Sequence, residues 1–147
     1  MSLFQGKILL NFIIKLLNRP SIIWSNFELC SSLQLSDFVD ILLEPIKSSQ
    51  YSYRTKLGLH EALINAVTHG NKLDPHKSIR VRRIITPNWC VWQIQDQGTG
   101  LEIKKRYYKL PEKLSSLNGR GLYIINECFD DIRWSNKGNR LQLASKR

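Results

Sequence analysis

The feature that most constrains this chain is an acidic residue followed by two closely spaced glycines at the end of a predicted strand. The strand is expected over Trp89–Gln95, and Asp96, Gly98 and Gly100 follow it with single residues between them. Glycine tolerates positive φ and the close approach of another molecule, although it loses much backbone entropy on folding. An acid beside bare backbone could therefore bind a planar ligand, whereas the same pattern alone is also typical of an ordinary turn.

Composition points to a single globular domain. The 147 residues, 42% of them hydrophobic and 23% charged, are enough for one packed core. No apolar run reaches the roughly 18 residues expected of a membrane span. The three cysteines form no C-x-x-C pair, which argues against a structural zinc site and for reduced thiols in a reducing, cytoplasmic setting. Cys90 and Cys128 are expected in apolar surroundings.

The net charge is the least ordinary property of the composition. A formal charge of +10 and a pI near 9.8 favour anionic partners of any kind, whether nucleotides, nucleic acids, acidic proteins or anionic lipids. The positive residues are spread along the chain without a stripe of interleaved aromatics, so a solvated surface is the simpler interpretation. No helix-turn-helix signature accompanies them, and direct contact with nucleic acid is not expected.

Residues 1–20 form an apolar and basic segment without an acid, predicted to be a helical extension before a domain that covers residues 21–147. Its apolar run is too short to span a bilayer, and no small-residue cleavage pattern follows it. Arg19 and Pro20 should end any helix there. Packing on the domain or on a second copy in a homodimer is the default expectation, and contact with a membrane surface is the minor alternative.

Turn residues and period-two patterns predict a set of short strands. These strands cover residues 21–29, 79–86, 89–95, 132–135 and 140–144. The second and third form a hairpin around Pro87 and Asn88. Residues 101–118 show little periodicity and contain Pro111, and such a long irregular stretch favours a functional loop such as a lid.

Apolar residues at helical spacing predict three helices in the same domain. The helices are Ser32 or Ser36 to about Lys47, about Tyr53 to His69 with Gly70 as its C-terminal cap, and Gly121 to Cys128. The buried side of the first is expected to be Leu33, Leu35, Phe38, Val39, Ile41, Leu42 and Leu43. The buried stripe of the second is expected to be Leu57, Ala62, Leu63, Ile64, Ala66 and Val67.

The second predicted helix also carries a polar line. Glu61, Asn65 and His69 are spaced four residues apart, so they lie above one another on the helix surface. Small Ala62 and Ala66 beside the line would let a ligand approach closely. A carboxylate can accept a proton, and an amide oxygen can hold a hard cation such as Mg²⁺. His69 is expected to lie at the helix end rather than to act as a lone ligand, and a solvated helix face is the alternative.

A second pair of glycines, Gly119 and Gly121, flanks Arg120 just before the apolar run that begins at Leu122. Free N–H groups at a helix start can bind an anion, and an arginine between the glycines adds a fork of donors suited to phosphate. A plain junction between a loop and a helix is the alternative. That alternative loses weight because the polar line and the Asp-Gly segment precede this pair in the same chain.

Together, the three segments resemble the N, G1 and G2 boxes of the GHKL ATPase superfamily, which has the Bergerat fold. The matching stretches are residues 61–70, 96–100 and 119–122. Within the superfamily the chain is most similar to the anti-sigma-factor serine/threonine kinases, especially in residues 59–70 and in Asp130 and Asp131 before the terminal strand. The resemblance extends from about Ser21 to the C-terminus.

The resemblance implies a fold and a cofactor. The fold would be an α+β two-layer sandwich, with a mixed, mostly antiparallel sheet and helices packed on one face. An ATP–Mg²⁺ site would lie between the helices and the sheet. Phosphoryl transfer depends on positioning and on charge neutralisation more than on covalent chemistry, which suits a small set of groups.

Residue roles follow from the same resemblance. Glu61 would act as the general base, either directly on a serine hydroxyl or through a water, and Asn65 would hold the Mg²⁺ that bridges the phosphates. Asp96 would accept a hydrogen bond from the exocyclic amine of adenine, with Gly98 and Gly100 close to the base. The cofactor would be covered by a lid over residues 101–118 and contacted by Gly119, Arg120, Gly121 and Leu122.

The resemblance also implies partners. The phosphoacceptor would be a serine on a small anti-anti-sigma (STAS-like) protein, and the alternative partner would be a sigma factor. Three features depart from the family pattern: Gly138 is followed by Asn139 where relatives often have a threonine that helps hold phosphate, the charge is strongly basic, and the N-terminal extension is apolar. These departures bear on the partner more than on the nucleotide.

Two functional hypotheses of different classes result. The first is a serine kinase that controls a transcription regulator by partner switching, and the second is an ATP-binding interaction module without turnover. An intact Glu61 favours the kinase, because a pure binder needs no base there. A sensor histidine kinase domain lacks support, because no helix with a phosphoacceptor histidine is recognisable before the domain and His60 lies inside the helix that carries Glu61.

Overall fold

The computed structural model describes residues 22–46, 49–106 and 120–147. The predicted extension over residues 1–20, Gly119, and the predicted lid beyond Arg106 lie outside the described residues. The strands are β1 (Ile23–Cys30), β2 (Ser78–Ile85), β3 (Trp89–Gln95), β4 (Asp131–Trp134) and β5 (Arg140–Lys146). The helices are α1 (Ser36–Leu43), α2 (Ser49–Asn65), α3 (Ile103–Arg106) and α4 (Arg120–Cys128).

The strands form one five-stranded sheet in the order β1-β2-β3-β5-β4, and each neighbouring pair is antiparallel. Alternation along β2 and β3 places Ile79, Val81, Trp92 and Ile94 in the core. The predicted hairpin between these strands is confirmed, with Ile85 opposite Cys90. The architecture is the expected α+β fold with an antiparallel sheet.

The helices cover one face of this sheet. The Trp92 indole N–H donates a hydrogen bond to the carbonyl oxygen of Leu42 in α1 at 3.3 Å, and its ring meets that of Phe129, just after α4, with centroids 6.1 Å apart. Leu59 and Leu63 of α2 are fully buried in the same core. Burial of each such side chain stabilises the fold by about 1.5–3 kcal/mol. The core therefore lies between the three longer helices and the sheet.

Some predicted core positions are wrong. Leu57 is 39% exposed, whereas Leu59, absent from the predicted stripe, is 0% exposed. These two residues are about 200° apart around a helix, so they cannot both face the same core. Leu33 and Ile41 are also exposed. Helical period alone does not decide whether Leu57 or Leu59 faces the core. Packing against the sheet buries Leu59.

The end of α2 also differs from the prediction. Gly70 was expected to cap the helix in a left-handed conformation, but Ala66–Gly70 form a π-helical turn and Asn71 is the capping residue, with φ −82°. The Asn71 N–H donates to the Ala66 carbonyl oxygen at 2.8 Å. Single π-turns within helices are frequent at functional sites. A glycine is required at position 70 because a neighbouring side chain, described below, occupies the space of a Cβ atom.

The cysteines and the helix lengths complete the comparison with the sequence. Cys90 and Cys128 are buried free thiols, as predicted, and burial raises the pKa of both; Cys30 is free and exposed. No helix in the part of the chain that the structure describes is long and apolar enough to cross a membrane.

Candidate functional site

A cavity of about 370 Å³ lies between the C-terminal end of α2, the start of α4 and the helix-covered face of the sheet. This volume falls within the range of small-molecule pockets. Three apolar side chains of the sheet, Ile94, Trp134 and Leu141, line it. The remaining lining comes from Ala62, Asn65, Ala66, His69, Gly70, Asp96, Gly100, Leu101, Lys105, Gly121, Leu122 and Gly138.

One end of the cavity is built around Asp96, at the end of β3. Its Oδ1 accepts a hydrogen bond from the Gly98 N–H at 2.7 Å. A Cβ at Gly70 would lie 2.3 Å from the Asp96 carboxyl carbon, and a Cβ at Gly98 would lie 2.2 Å from the Gly70 carbonyl oxygen. Only glycine fits at both positions, because the carboxylate and the backbone occupy the space that a methyl group would need. This contact explains why residue 70 is a glycine.

Asn71 connects this end of the cavity to the sheet. The side chain is completely buried, and its amide N–H₂ donates to the Ser78 carbonyl oxygen at 3.0 Å. Its Oδ1 accepts from the Gln97 N–H at 2.8 Å, while the Gln97 Oε1 accepts from the Ser78 N–H at 2.8 Å. Buried polar groups that are hydrogen-bonded in this way hold one geometry. No local pattern in the sequence predicts this role for Asn71.

Asn139 supports Asp96 from the opposite side. The Asp96 N–H donates to the Asn139 carbonyl oxygen at 3.0 Å, and the Asn139 amide donates back to the Asp96 carbonyl oxygen at 3.2 Å. Asn139 occupies the position where the family resemblance led us to expect a threonine. Its side chain therefore braces the backbone of Asp96.

The carboxyl group of Asp96 is partly desolvated. Burial raises its pKa above the usual value, and the Gly98 N–H and the charges of Lys137 and Lys77 partly oppose this shift. The second carboxylate oxygen, Oδ2, accepts no hydrogen bond from another described residue. An acceptor held in this way in a mostly apolar cavity can bind an N–H donor of a planar ligand.

The segment after Asp96 is tied to the β4–β5 turn. Gly100 and Gly138 both have positive φ, at 91° and 80°, and the Leu101 N–H donates to the Gly138 carbonyl oxygen at 2.9 Å. Arg106 donates to three carbonyl oxygens, those of Leu101 at 2.8 Å, Ser135 at 3.0 Å and Asn136 at 2.8 Å. One guanidinium thus holds α3 on the turn, and Lys105 of the same helix lines the cavity.

The other end of the cavity is formed by Gly121, Asn65 and Glu61. A Cβ at Gly121 would lie 3.2 Å from both the Asn65 Nδ2 and the Glu61 Oε2. Asn65 lines the cavity, and Glu61 lies beside it. Neither side chain makes a hydrogen bond or ion pair with another described residue. Both polar groups therefore remain available to a ligand.

The structure brings most of the predicted site residues together. Those that line the cavity are Asn65, Asp96, Gly100, Gly121 and Leu122; His69, which was expected only to lie at the helix end, lines it as well. Glu61 borders the cavity, Gly98 packs behind Asp96, and Arg120 is the exposed first residue of α4. Gly119 lies outside the described residues. Trp134 was not predicted, because no local pattern relates it to the cavity, whereas Lys105 and Arg106 fall within the stretch over residues 101–118 that was predicted only as a lid.

No group of three or more His, Cys, Asp or Glu side chains suited to a metal ion occurs among the residues that the structure describes. A cation held beside Asn65 could take its other ligands from a bound molecule. Mg²⁺ is commonly bound in this way, by one or two protein groups together with substrate phosphates and waters.

Comparison with known proteins agrees with the fold and the cavity. The family model described as the histidine kinase-like ATPase domain matches residues 40–145, which include every described element except β1 and the start of α1. No curated protein matches the chain. A match over this much of the chain shows that it belongs to the histidine kinase-like ATPase domain family, a GHKL-type, ATP-binding group.

Proposed function

We propose that the protein is an ATP-dependent serine/threonine protein kinase of the anti-sigma-factor type. In this proposal it phosphorylates a serine of an anti-anti-sigma partner and controls a transcription regulator by partner switching. The observation that carries the proposal is the position of Glu61, whose carboxylate lies beside Asn65 and Gly121 at one end of the cavity. A protein that only bound the nucleotide would have no need of a base at that place.

The cavity fits ATP in its shape and its donor set. The apolar side chains of Ile94, Trp134 and Leu141 suit the faces of a purine, and Asp96 offers an acceptor for the exocyclic amine. Any larger side chain at position 70 or 98 would collide with that carboxyl group or with the backbone beside it. ATP bound with Mg²⁺ would supply the phosphoryl group.

Asn65 is suited to hold the magnesium ion. Its amide oxygen and nitrogen lie within the cavity, on the same side as Gly121. Amide oxygens are acceptable Mg²⁺ ligands, and phosphates of a bound nucleotide are ligands that Mg²⁺ commonly uses alongside one or two protein groups. Arg120 and the start of α4 would add positive potential for the phosphates.

Glu61 would act as the general base for the acceptor serine. The carboxylate is half-buried and makes no ion pair with another described residue. It could accept the hydroxyl proton as the serine oxygen bonds to the γ-phosphorus, while the bond from that phosphorus to the bridging oxygen breaks and ADP leaves. A positioned base of this kind contributes about 10²–10⁴-fold to the rate. Asn65 would orient the same phosphate through Mg²⁺, which places the two side chains in complementary roles.

The proposed domain covers residues 21–147, and residues 1–20 would be an extension that packs on the domain or on a second copy. The small serine-bearing partner and a sigma factor would compete for the protein in the nucleotide-bound state. This division rests on the resemblance of residues 59–70, 96–100 and 119–122 to the anti-sigma-factor kinases.

A labelling experiment tests the proposal. The full chain is incubated with Mg²⁺, γ-labelled ATP and a protein extract of the source cell, and acid-stable phosphate on serine is measured. We expect one small protein to be labelled by the wild type and by Glu44→Gln, in which an exposed glutamate far from the cavity is changed. Glu61→Gln should lower the labelling rate by about 10²–10⁴-fold while leaving ATP affinity within about twofold.

The other outcomes are distinct. Full labelling by Glu61→Gln would remove this residue from the mechanism. Acid-labile phosphate on histidine would indicate a histidine kinase instead. ATP binding without labelling in any fraction would indicate an interaction module without turnover.

A further inference from the structure

The face of the sheet that points away from the helices is polar and basic. Buried strand residues such as Ile79, Val81 and Trp92 occupy the alternate positions that face the helices. The strand register then aligns the outward positions in rows across the sheet. One row, from β1 to β4, is Asn26, Arg82, Gln93, Gln142 and Arg133. With strands about 4.8 Å apart, this row is about 19 Å long.

The outward positions carry more positive than negative charge. Their five cations are Arg80, Arg82, Arg133, Arg140 and Lys146. Their two acids are Glu28, which accepts a hydrogen bond from the Ser78 hydroxyl at 2.6 Å and lies 3.6 Å from Arg80, and Asp131, which lies 2.8 Å from Arg133. Arg82, Arg140 and Lys146 have no acidic partner among the described residues.

Two tryptophans lie at one end of this face. Trp24 is 65% exposed, and the guanidinium of Arg82 lies 5.7 Å from the centre of its ring. Trp89 is half-buried, with the Lys146 ammonium 5.7 Å from its ring. Exposed aromatic rings beside cations are a recurrent arrangement for stacking bases between neighbouring phosphates.

We propose that this face binds single-stranded nucleic acid, independently of the nucleotide cavity on the other side of the sheet. The cations would contact phosphates, Trp24 would stack on a base, and the row of amide side chains would bind base edges. An acidic polypeptide would need only the cations for binding, and neither the tryptophan nor the amides. The exposed Trp24 favours the nucleic acid. Asn26 already accepts a hydrogen bond from Arg82, and Gln93 donates one to Gln142, but each amide keeps a further donor or acceptor group for a base edge.

Fluorescence anisotropy of the full chain with labelled oligo(dT) and oligo(U) of about twelve nucleotides tests the proposal. Arg82→Gln should weaken binding about fivefold or more and reduce the slope of log K against log salt by about 0.7. Trp24→Leu should weaken binding about fivefold with little change in the slope. Lys56→Gln, which removes an exposed cation from the helix layer, should change affinity by less than about twofold.

Urea unfolding of each variant separates a loss of contact from a loss of fold, and Arg140→Gln replaces Arg82→Gln if the latter is unstable. If polyglutamate of equal charge displaces the oligonucleotide and Trp24→Leu leaves the oligonucleotide affinity unchanged, the proposal is overturned in favour of an acidic protein. Binding to phosphatidylserine vesicles without oligonucleotide binding would overturn it in favour of a membrane. Failure to bind either oligonucleotide at low salt would overturn it outright.

Discussion

The two ends of the cavity are built differently. At the Asp96 end, hydrogen bonds that involve Gly98, Asn71 and Asn139 hold the segment from Asp96 to Gly98 in place. At the Gly121 end, the side chains of Glu61 and Asn65 make no hydrogen bonds with other described residues, and both are carried by α2. The first end is part of the folded framework, whereas the second presents polar groups that a ligand must engage.

In the proposed function, this difference would separate recognition of the base from phosphoryl transfer. A preorganised acceptor lowers the entropic cost of binding a base, because little reordering is needed on association. Groups that are not yet hydrogen-bonded can form their strongest interactions with phosphates or with the transition state. Changes that disturb the tight packing at the Asp96 end should therefore lower stability and binding together, whereas changes at the Gly121 end should affect function without destabilising the fold.

The largest expected contrast comes from the same substitution at the two ends. Gly98→Ala would place a methyl group against the Gly70 backbone, which has no room to yield, so we expect a loss of about 1–3 kcal/mol in the free energy of unfolding together with loss of nucleotide binding. Gly121→Ala lies within α4, where alanine favours the helix by up to about 1 kcal/mol.

Urea unfolding and calorimetric titration with ATP check this pair. Gly121→Ala should have a urea midpoint at least as high as that of the wild type. It should bind ATP more weakly, because the new methyl group crowds Asn65 and Glu61. Equal destabilisation by both substitutions would show that the two ends are equally rigid.

Asp96→Asn should have the next largest effect. In the proposed function it removes the charge-assisted hydrogen bond that Asp96 would accept from the adenine amine, so we expect ATP and ADP affinity to fall by about tenfold to a hundredfold. The free protein should not become less stable, because burial already disfavours the ionised carboxyl. Titration calorimetry measures the affinity, and Asp37→Asn on the exposed side of α1 is the control. Unchanged affinity would remove Asp96 from base recognition.

The pH dependence of the same variant sharpens the test. The folded-state pKa of Asp96 lies above its unfolded value of about 3.9. The stability contributed by the protonated group is thus complete below that unfolded value and is lost as pH rises through the folded pKa. Relative to Asp96→Asn, the wild type should lose unfolding free energy over that interval. A difference that stays constant from about pH 3 to pH 8 would contradict the shifted pKa.

Arg106→Gln should have the smallest effect. It removes the fork that holds α3 on the β4–β5 turn, and we expect a loss of about 1 kcal/mol in stability and a few-fold loss in nucleotide affinity. Arg106→Lys keeps the charge but cannot reach three carbonyls, so it should resemble Arg106→Gln. Full recovery with lysine would show that charge, not geometry, holds this segment.

Much of the fold was predictable because its signals are local. The strands and α4 were predicted to within two residues at each end, since alternation, turn residues and helical spacing are read over short windows. Glu61, Asn65, Asp96 and Gly121 were predicted to share a site from their order along the chain, and the structure brings them to one cavity. Their chemical roles stay predictions.

The remaining features depend on distant partners. Asn71, Arg106 and Asn139 act through backbone carbonyls or N–H groups, which every residue has, so no sequence pattern marks them. Leu57 was assigned to the core because helical period alone allows it, and only the sheet decides otherwise.

The amino-acid sequence by itself determined the order of strands and helices, the position of the Asp-Gly segment after β3 and the family of the domain. The tertiary structure alone decided which residues brace Asp96 and that cations scattered from Arg80 to Lys146 share one face of the sheet. The reason is physical: residue type and spacing set local conformation, whereas strand register and backbone hydrogen bonds between distant segments exist only once the chain has folded.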